Sequence, residues 1–189
     1  MSDHNRLFML LAERSARRGC FTLASGRQST LYIDARLTTM SPDGLALIGP
    51  LALSVLVQTS WDVSAIGGLT LGADPLSYAI AYASASTNRP LRAFTVRKEA
   101  KTHGTGKLVE GPFHEGDHVA VIEDVITTGG SALRAVDAIR LAGGVVAGVL
   151  ALVDREEGGR EAILAAGLPV VALARVRDIV GYLRTSATP

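Results

Sequence analysis

The stretch from Val119 to Ser131 constrains the fold of this chain more than any other. It begins with the apolar run Val119–Ile122, continues with the acids Glu123 and Asp124, and ends in a turn of hydroxyl and glycine residues. A short apolar run rich in β-branched residues predicts a strand that is buried on both faces, as in a parallel sheet. Apolar residues at helical spacing follow the turn. The stretch therefore predicts a strand, turn and helix of an open α/β sheet, with both acids just past the strand at its carboxyl end, where such sheets bind ligands.

The turn Thr127–Ser131 has the features that a phosphate monoester requires. Its glycines let several backbone amides point inward, its hydroxyls are donors, and the next helix presents its positive N-terminal end. The two acids would repel a phosphate, but they would accept hydrogen bonds from a vicinal diol. The combination indicates a site for a ribose 5-phosphate, and the structural alternative is that Asp and Thr only cap the helix.

Length and composition limit the classes of protein to which the chain can belong. A chain of 189 residues with 48% hydrophobic and 20% charged residues is sufficient for one α/β domain. A net charge of +1 gives no overall attraction to nucleic acid or anionic membranes. The single cysteine, Cys20, fits a reducing compartment, and the longest apolar run, Val145–Val153, is about half of the roughly 20 residues that a membrane span needs. We therefore expect a cytoplasmic protein without nucleic-acid or membrane partners.

Strand and helix patterns alternate along the rest of the chain. This alternation predicts an α/β fold with about five parallel strands, helices on both faces and a small N-terminal subdomain. The predicted helices cover residues 7–18, 42–58, about 75–83, 131–142, 158–166 and 178–184. The predicted strands cover two short pieces within 21–34 and residues 63–66, 91–96, 119–122, 145–153 and 169–173.

Two further segments suggest polyphosphate chemistry. Gly67–Pro75 is a second glycine-rich turn before a helix, so two anionic groups are expected at one sheet edge. Arg97–Lys107 is rich in cations and nearly free of apolar residues, which predicts a solvated loop that can close over a polyphosphate. A solvated loop without a function is the alternative for Arg97–Lys107.

Several familiar motifs are absent or misleading. His114–His118 matches the His-Glu-x-x-His pattern of zinc proteases, but Gly116 and the strand that follows predict a turn instead of the helix that such a site needs. The chain has no Walker A motif, no dinucleotide-binding glycine motif after a strand and no Gly-x-Ser-x-Gly elbow. Nucleotide hydrolysis, dinucleotide binding and serine hydrolase chemistry therefore have no support.

Val119–Ser131 resembles the phosphoribosyl diphosphate (PRPP) signature of type I phosphoribosyltransferases. Three other segments resemble the orotate phosphoribosyltransferase family: Phe21–Asp34 its N-terminal hood, Arg97–Gly104 its mobile catalytic loop, and Asp154–Glu156 the end of a long strand. The resemblance implies the type I phosphoribosyltransferase fold in a single domain, 1–189. It further implies a hood mainly over 1–40, a core over about 41–189 and a mobile loop over about 97–111.

The resemblance also implies a reaction: Mg²⁺-dependent transfer of the 5-phosphoribosyl group from PRPP to orotate, in pyrimidine (UMP) biosynthesis. The products are orotidine 5'-monophosphate and diphosphate, and a homodimer shares its active sites. The implied catalytic residues are Lys101, His103, Arg97 and Asp124. The implied PRPP-binding residues are Arg97, Lys98, Lys101, His103, Glu123, Asp124, Val125, Ile126, Thr127, Thr128, Gly129, Gly130 and Ser131, and those for orotate are Thr127, Arg155, Tyr32 and Ile33. Mg²⁺ is expected to bind through PRPP and water, and no protein ligand is assigned.

The physical chemistry of the reaction agrees with these roles. Breaking the anomeric C–O bond develops negative charge on the diphosphate, which positioned cations stabilise, and Arg155 can bind the orotate carboxylate through two parallel hydrogen bonds. The resemblance is incomplete at Ala24, where many relatives carry Lys, and near Thr70 and Leu71, where some carry Tyr-Lys. Two alternatives stay open: transfer to a purine or another pyrimidine, and a PRPP-sensing regulator, against which the low net charge argues.

Overall fold

The computed structural model of the protein describes residues 1–22, 28–99 and 107–183. Its helices are α1 (Asp3–Leu10), α2 (Arg36–Thr39), α3 (Pro42–Gln58), α4 (Ala73–Ser84), α5 (Gly130–Leu141), α6 (Gly159–Ala165) and α7 (Val176–Val180), and a π-helical turn (Leu11–Ser15) continues α1. Its strands are β1 (Ala16–Thr22), β2 (Gln28–Ile33), β3 (Ala65–Leu69), β4 (Arg92–Val96), β5 (Val109–Glu110), β6 (His118–Ile126), β7 (Val145–Asp154) and β8 (Val170–Arg175).

The main sheet has the strand order β5-β4-β3-β6-β7-β8. Strands β3, β4, β6, β7 and β8 are parallel, and β5 is a short antiparallel strand at the edge beside β4. The prediction of about five parallel strands is confirmed. The short strand β5, which lies in the range expected for the mobile loop, was not predicted.

Alternate residues of the central strands point to opposite faces of the sheet, and both faces are covered. Ala120 and Ile122 of β6 face one core, which α1, α3, α4 and α7 complete. Val119 and Val121 face the other core, which α5 and α6 complete. Because each strand of this kind is buried on both sides, its sequence is a continuous apolar run. The prediction of helices on both faces is confirmed.

The central strand is longer than the apolar run indicated. We expected a strand that ends at the two acids, whereas β6 continues to Ile126, so Glu123 and Asp124 lie within it. The reason is its neighbour β7, which keeps pairing with β6 as far as Ile126, opposite Asp154. On the other side, the pairing of β6 with β3 ends at Val121, opposite Gly67. The far end of β6 therefore has a strand on one side only.

The N-terminal prediction also needs correction. A helix was expected over residues 7–18, but the helical segment ends at Ser15 and β1 begins at Ala16. Residues 16–18 have helix-compatible sequence, yet β1 pairs antiparallel with β2, which places Ala16 opposite Ile33. Pairing with a distant strand thus overrides the local pattern. Similarly, the last helix begins at Val176 instead of residue 178.

The hairpin β1-β2 forms a sheet of its own, separate from the main sheet. The expected pair of short strands is therefore confirmed, while the turn that contains Ala24, Ser25 and Gly26 lies outside the described residues. Helix α1 is different, because Leu7 and Leu11 are fully buried in the same core as Ile122. The hairpin joins this core through its base, at Ala16 and Ile33, and the end of β2 lines a cleft at the sheet edge.

Candidate active site

A cleft of about 440 Å³ lies at the carboxyl edge of the main sheet. Strands β3 and β6 are neighbours there, and the chain winds outward from them in opposite directions, which is the point where open α/β sheets bind ligands. The hairpin and the segment after it form one wall. The cleft is lined by Tyr32, Ile33, Asp34, Ala35, Arg36, Leu69, Thr70, Leu71, Gly72, Lys98, Glu123, Asp124, Val125, Thr127, Thr128, Ser131, Arg134 and Arg155.

The two acids of β6 occupy different environments within the cleft. Glu123 is 6% exposed, and its burial, together with the charge of Asp124, raises its pKa well above the ordinary value. Asp124 is partly exposed, and its Oδ1 accepts a hydrogen bond of 2.8 Å from the backbone N–H of Val125. The pair therefore presents carboxyl groups to the cleft in two environments, one buried and one partly exposed.

The first glycine turn approaches the second acid closely. A Cβ atom on Gly72 would lie 2.5 Å from Cγ of Asp124, so only glycine fits at this position. Gly68 is equally confined in β3, since a Cβ there would lie 2.0 Å from the carbonyl oxygen of Ile122. The glycines thus bring the backbone of the first turn against the acids on β6.

The turn after β6 forms a second, hydroxyl-rich part of the cleft. Thr127, Thr128 and Ser131 line it, and Gly129, in the left-handed region with φ +81°, is the N-cap of α5. A Cβ on Gly129 would lie 2.8 Å from the carbonyl oxygen of Gly159, so α6 packs directly against this turn. Backbone N–H groups at the start of a 12-residue helix, next to three hydroxyls, suit an anion.

Arg155 connects the core to the hairpin. It follows β7, is 6% exposed, and its Nη2 donates to Oγ of Ser29 at 3.1 Å and to the carbonyl oxygen of Leu31 at 3.0 Å. Its Nε donates to Oε1 of Glu157 at 2.9 Å. Within the described part of the chain, Nη1 donates no hydrogen bond. The guanidinium is therefore fixed at the cleft wall and retains donors that can face a ligand.

The structure brings most of the predicted site residues around one cleft. Those that line it are Tyr32, Ile33, Lys98, Glu123, Asp124, Val125, Thr127, Thr128, Ser131 and Arg155, whereas Arg97, Ile126, Gly129 and Gly130 do not. Arg97 lies with Nη1 4.0 Å from Oε1 of Glu110. Lys101 and His103 lie outside the described residues. The roles of all these residues stay predictions.

Several residues that line the cleft were not singled out from the sequence. Asp34 and Arg36 come from the end of the hairpin and Arg134 from α5, whereas Thr70 to Gly72 belong to the turn Gly67–Pro75, at which an anionic group was expected. Arg134 Nη2 donates to Oγ of Ser131 at 3.3 Å. A carboxylate two residues before an arginine, directly after a strand of the hood, was the pattern that could have identified the first two.

The His114–His118 segment forms the predicted turn. The backbone N–H of Asp117 donates to the carbonyl oxygen of His114 at 3.1 Å, and β6 begins at His118. In the described ranges, no three His, Cys, Asp or Glu side chains lie close enough together to hold a metal ion. None of the helices in those ranges has the length and apolar character needed to cross a membrane.

Comparison with known proteins agrees with this geometry. No protein-family model matches the chain. The orotate phosphoribosyltransferase of Sorangium cellulosum is 48% identical over 95% of this chain and 94% of its own length, and that of Aquifex aeolicus is 45% identical over 95% and 99%. The crystal structure of Mycobacterium tuberculosis orotate phosphoribosyltransferase in complex with PRPP is 41% identical, with a TM-score of 0.79, over 95% of this chain and 99% of that one.

The parallel sheet, the acid pair of β6 and the hydroxyl-rich turn before α5 define the class as a type I phosphoribosyltransferase. The sequence relatives identify the family within this class. The chain belongs to the orotate phosphoribosyltransferase family. It is therefore an enzyme, and the alternative of a PRPP-sensing regulator loses its support.

Proposed function

We propose that the protein transfers the 5-phosphoribosyl group of PRPP to orotate, forming orotidine 5'-monophosphate and releasing diphosphate. The observation that carries the proposal is the composition of one cleft, which an acid pair, a hydroxyl-rich turn at a helix N-terminus and a buried arginine all line. The turn suits the 5-phosphate, and Glu123 and Asp124 suit the ribose hydroxyls. Membership of a family whose Mycobacterium tuberculosis member has been crystallised with PRPP supports the same assignment.

Arg155 is the proposed determinant of the base. Orotate carries a carboxylate that most nucleobases lack, and a planar guanidinium binds a carboxylate with two parallel hydrogen bonds. Arg155 lies on the cleft wall beside Tyr32 and Ile33, whose side of the hairpin would line the ring of the base. Thr127 lies on the same cleft. This arrangement favours orotate over a purine, which offers no carboxylate.

The chemical step requires positive charge at the leaving diphosphate. Lys98 lines the cleft, and the proposal adds Arg97, Lys101 and His103 through the mobile loop. No covalent nucleophile is needed, because the developing charges on sugar and diphosphate are stabilised where they form. The side chains of the chain thus act by binding and orienting the two substrates.

Mg²⁺ is the proposed cofactor. It usually keeps several waters and binds through one or two carboxylates together with substrate phosphates, and the cleft offers the oxygen donors Glu123 and Asp124. When bound, it would neutralise charge on the diphosphate. We assign no protein ligand, since PRPP itself supplies oxygens to the metal.

We also propose a cytoplasmic homodimer whose two subunits share their active sites. An almost wholly apolar groove of about 810 Å³ runs between α3 and α4. Tyr82 in it is 87% exposed and Met40 53% exposed, which is unusual for a surface that faces water only. Leu71 lines both this groove and the cleft, so a second copy seated on the groove would lie beside the active site.

The reaction can be tested by following orotate consumption through its ultraviolet absorbance in the presence of PRPP and Mg²⁺. We expect turnover with orotate and none with adenine, hypoxanthine or uracil, and we expect chelation of Mg²⁺ to stop it. Turnover with a purine would contradict the assignment of Arg155. Inactivity with every base would contradict the proposed function as a whole.

A further inference from the structure

Asp34 and Arg36 form an ion pair on the hairpin side of the cleft that has no role in the site described so far. Nε of Arg36 donates to Oδ1 of Asp34 at 2.8 Å and Nη2 donates to Oδ2 at 2.9 Å. The guanidinium is therefore held along one edge. Its side chain is 46% exposed, and within residues 1–22, 28–99 and 107–183 its Nη1 donates no hydrogen bond.

The described side-chain hydrogen bonds of Arg36 go to Asp34 and not to the two anion sites already assigned. Arg134 contacts Ser131 in the hydroxyl-rich turn, and Arg155 contacts Leu31 in the hairpin wall. Arg36 lines the same cleft as Asp124, the acid against which the first glycine turn packs. The hydrogen bond and charge of Asp34 raise the pKa of Arg36.

The remaining anionic group of the substrates is the diphosphate of PRPP. If the 5-phosphate occupies the turn before α5 and the ribose contacts Asp124, the diphosphate extends past Asp124 toward the first glycine turn. Of the cations that line the described cleft, Arg134 and Arg155 contact the sites already assigned, which leaves Lys98 and Arg36. Residues 24, 70 and 71 are Ala, Thr and Leu, so these positions add no positive charge.

We propose that Arg36 binds the diphosphate of PRPP and that Asp34 is the residue that positions it. A guanidinium held through Nε and one Nη presents its other edge to phosphoryl oxygens in a fixed orientation. This inference rests on the proposed function and adds a binding residue to it. It also adds a cation at the leaving group to the one that Lys98 supplies.

The test compares Arg36→Gln and Arg36→Lys with the wild type by initial-rate kinetics and by calorimetric titration of diphosphate with Mg²⁺. Arg36→Gln should raise the KM for PRPP and the Kd for diphosphate about tenfold or more, the effect of losing a hydrogen-bonded charge. The KM for orotate should stay unchanged, and Arg36→Lys should recover part of the loss. Asp34→Asn should have a smaller effect, and adding it to Arg36→Gln should weaken diphosphate binding no further, because Asp34 acts through Arg36.

Arg14 provides the matched control. It pairs with both oxygens of Asp43 at 2.7 Å, is similarly exposed, and does not line the cleft. Arg14→Gln should leave both constants for PRPP and diphosphate unchanged. An active wild type whose diphosphate affinity survives Arg36→Gln would overturn the inference alone, as would a change confined to the KM for orotate. A wild type that neither turns over nor binds PRPP would overturn the proposed function instead.

Discussion

Glu123 and Asp124 are adjacent in sequence and both line the cleft, yet they differ in burial. Glu123 is 6% exposed, whereas Asp124 is partly exposed. Burial raises the pKa of Glu123, and the charge of Asp124 adds to this effect. The folded protein therefore opposes the ionisation of Glu123.

Replacement of Glu123 by Gln should stabilise the fold at neutral pH. The pKa of Glu123 is higher in the folded than in the unfolded protein, so the folded state binds the proton more tightly and wild-type stability falls as pH rises above the unfolded pKa of about 4.3. Gln does not ionise, so the stability of the Glu123→Gln variant does not fall with pH for this reason. The difference in Tm between Glu123→Gln and the wild type should therefore grow from about pH 4 toward about pH 7.

Thermal denaturation followed by circular dichroism at several pH values provides the measurement. Glu13→Gln is the control, because Glu13 is exposed. The Tm difference of Glu123→Gln should change with pH more than that of Glu13→Gln. A Glu123→Gln difference that does not change with pH would show that Glu123 titrates alike in the folded and unfolded states.

At the scale of elements, the conformation of the turn after β6 depends on how closely α6 approaches it. Gly129 and Gly159 are in mutual contact, and a Cβ on Gly159 would also lie 2.6 Å from the carbonyl oxygen of Thr127. The conformation of the turn is therefore set by the packing of two helices as well as by its own sequence. A helix that follows β7 thus supports the geometry of a loop that follows β6.

Gly129→Ala should cost about 3 kcal/mol of unfolding free energy, because the left-handed backbone and a clash with Gly159 both oppose a side chain. Gly116→Ala is the matched control, since Gly116 has a similar φ of +83° and a Cβ added to it would meet no atom within 4 Å. Backbone strain alone should cost it about 1 kcal/mol. Urea denaturation of both variants measures the two costs. Equal costs would mean that α6 moves to accommodate the added side chain of Gly129→Ala without a loss of unfolding free energy.

The elements themselves could largely be predicted from the sequence, because apolar periodicity reports which residues are buried. Helix α3, with Ser41 accepting a hydrogen bond from the N–H of Gly44, begins and ends where its pattern indicates. The end of β6 could not be predicted, since β7 determines it, and neither could the start of β1, which its partner β2 determines. The same holds for the cleft. The turn after β6 is local in sequence, whereas the presence of Arg36 in the same cleft as Asp124 depends on how the hairpin packs.

At the scale of the whole molecule, the apolar groove between α3 and α4 is the surface that the monomer leaves unexplained. The main cores on the two faces of the sheet are complete without it. Exposed tyrosines and methionine beside an active cleft are typical of an association surface. A dimer formed there would bring the cleft of one subunit close to the neighbouring chain.

Tyr82→Glu should dissociate the proposed dimer while leaving the monomer folded, because the side chain of Tyr82 is 87% exposed and contributes little to its own core. We expect the dimer dissociation constant to rise at least about tenfold, since a charge would be buried without a partner. Leu141→Glu is the control: Leu141 is 83% exposed on α5, outside the groove.

Sedimentation equilibrium of both variants, with activity measured across the same concentrations, tests this surface. Tyr82→Glu should be monomeric and weakly active where the wild type and Leu141→Glu are dimeric and active. Dissociation by Leu141→Glu with an intact Tyr82→Glu dimer would locate the interface elsewhere.

The hydrogen bonds from Arg155 to the hairpin compete with those that Arg155 would donate to a ligand. The carbonyl oxygen of Leu31 and the hydroxyl of Ser29 occupy Nη2, and Glu157 occupies Nε, before any ligand arrives. A ligand carboxylate gains only the difference between its own bonds and those that it displaces, so the observed affinity understates the strength of the contact. Selectivity benefits from the same exchange, because a ligand without a carboxylate leaves the internal bonds undisturbed and gains nothing from Arg155.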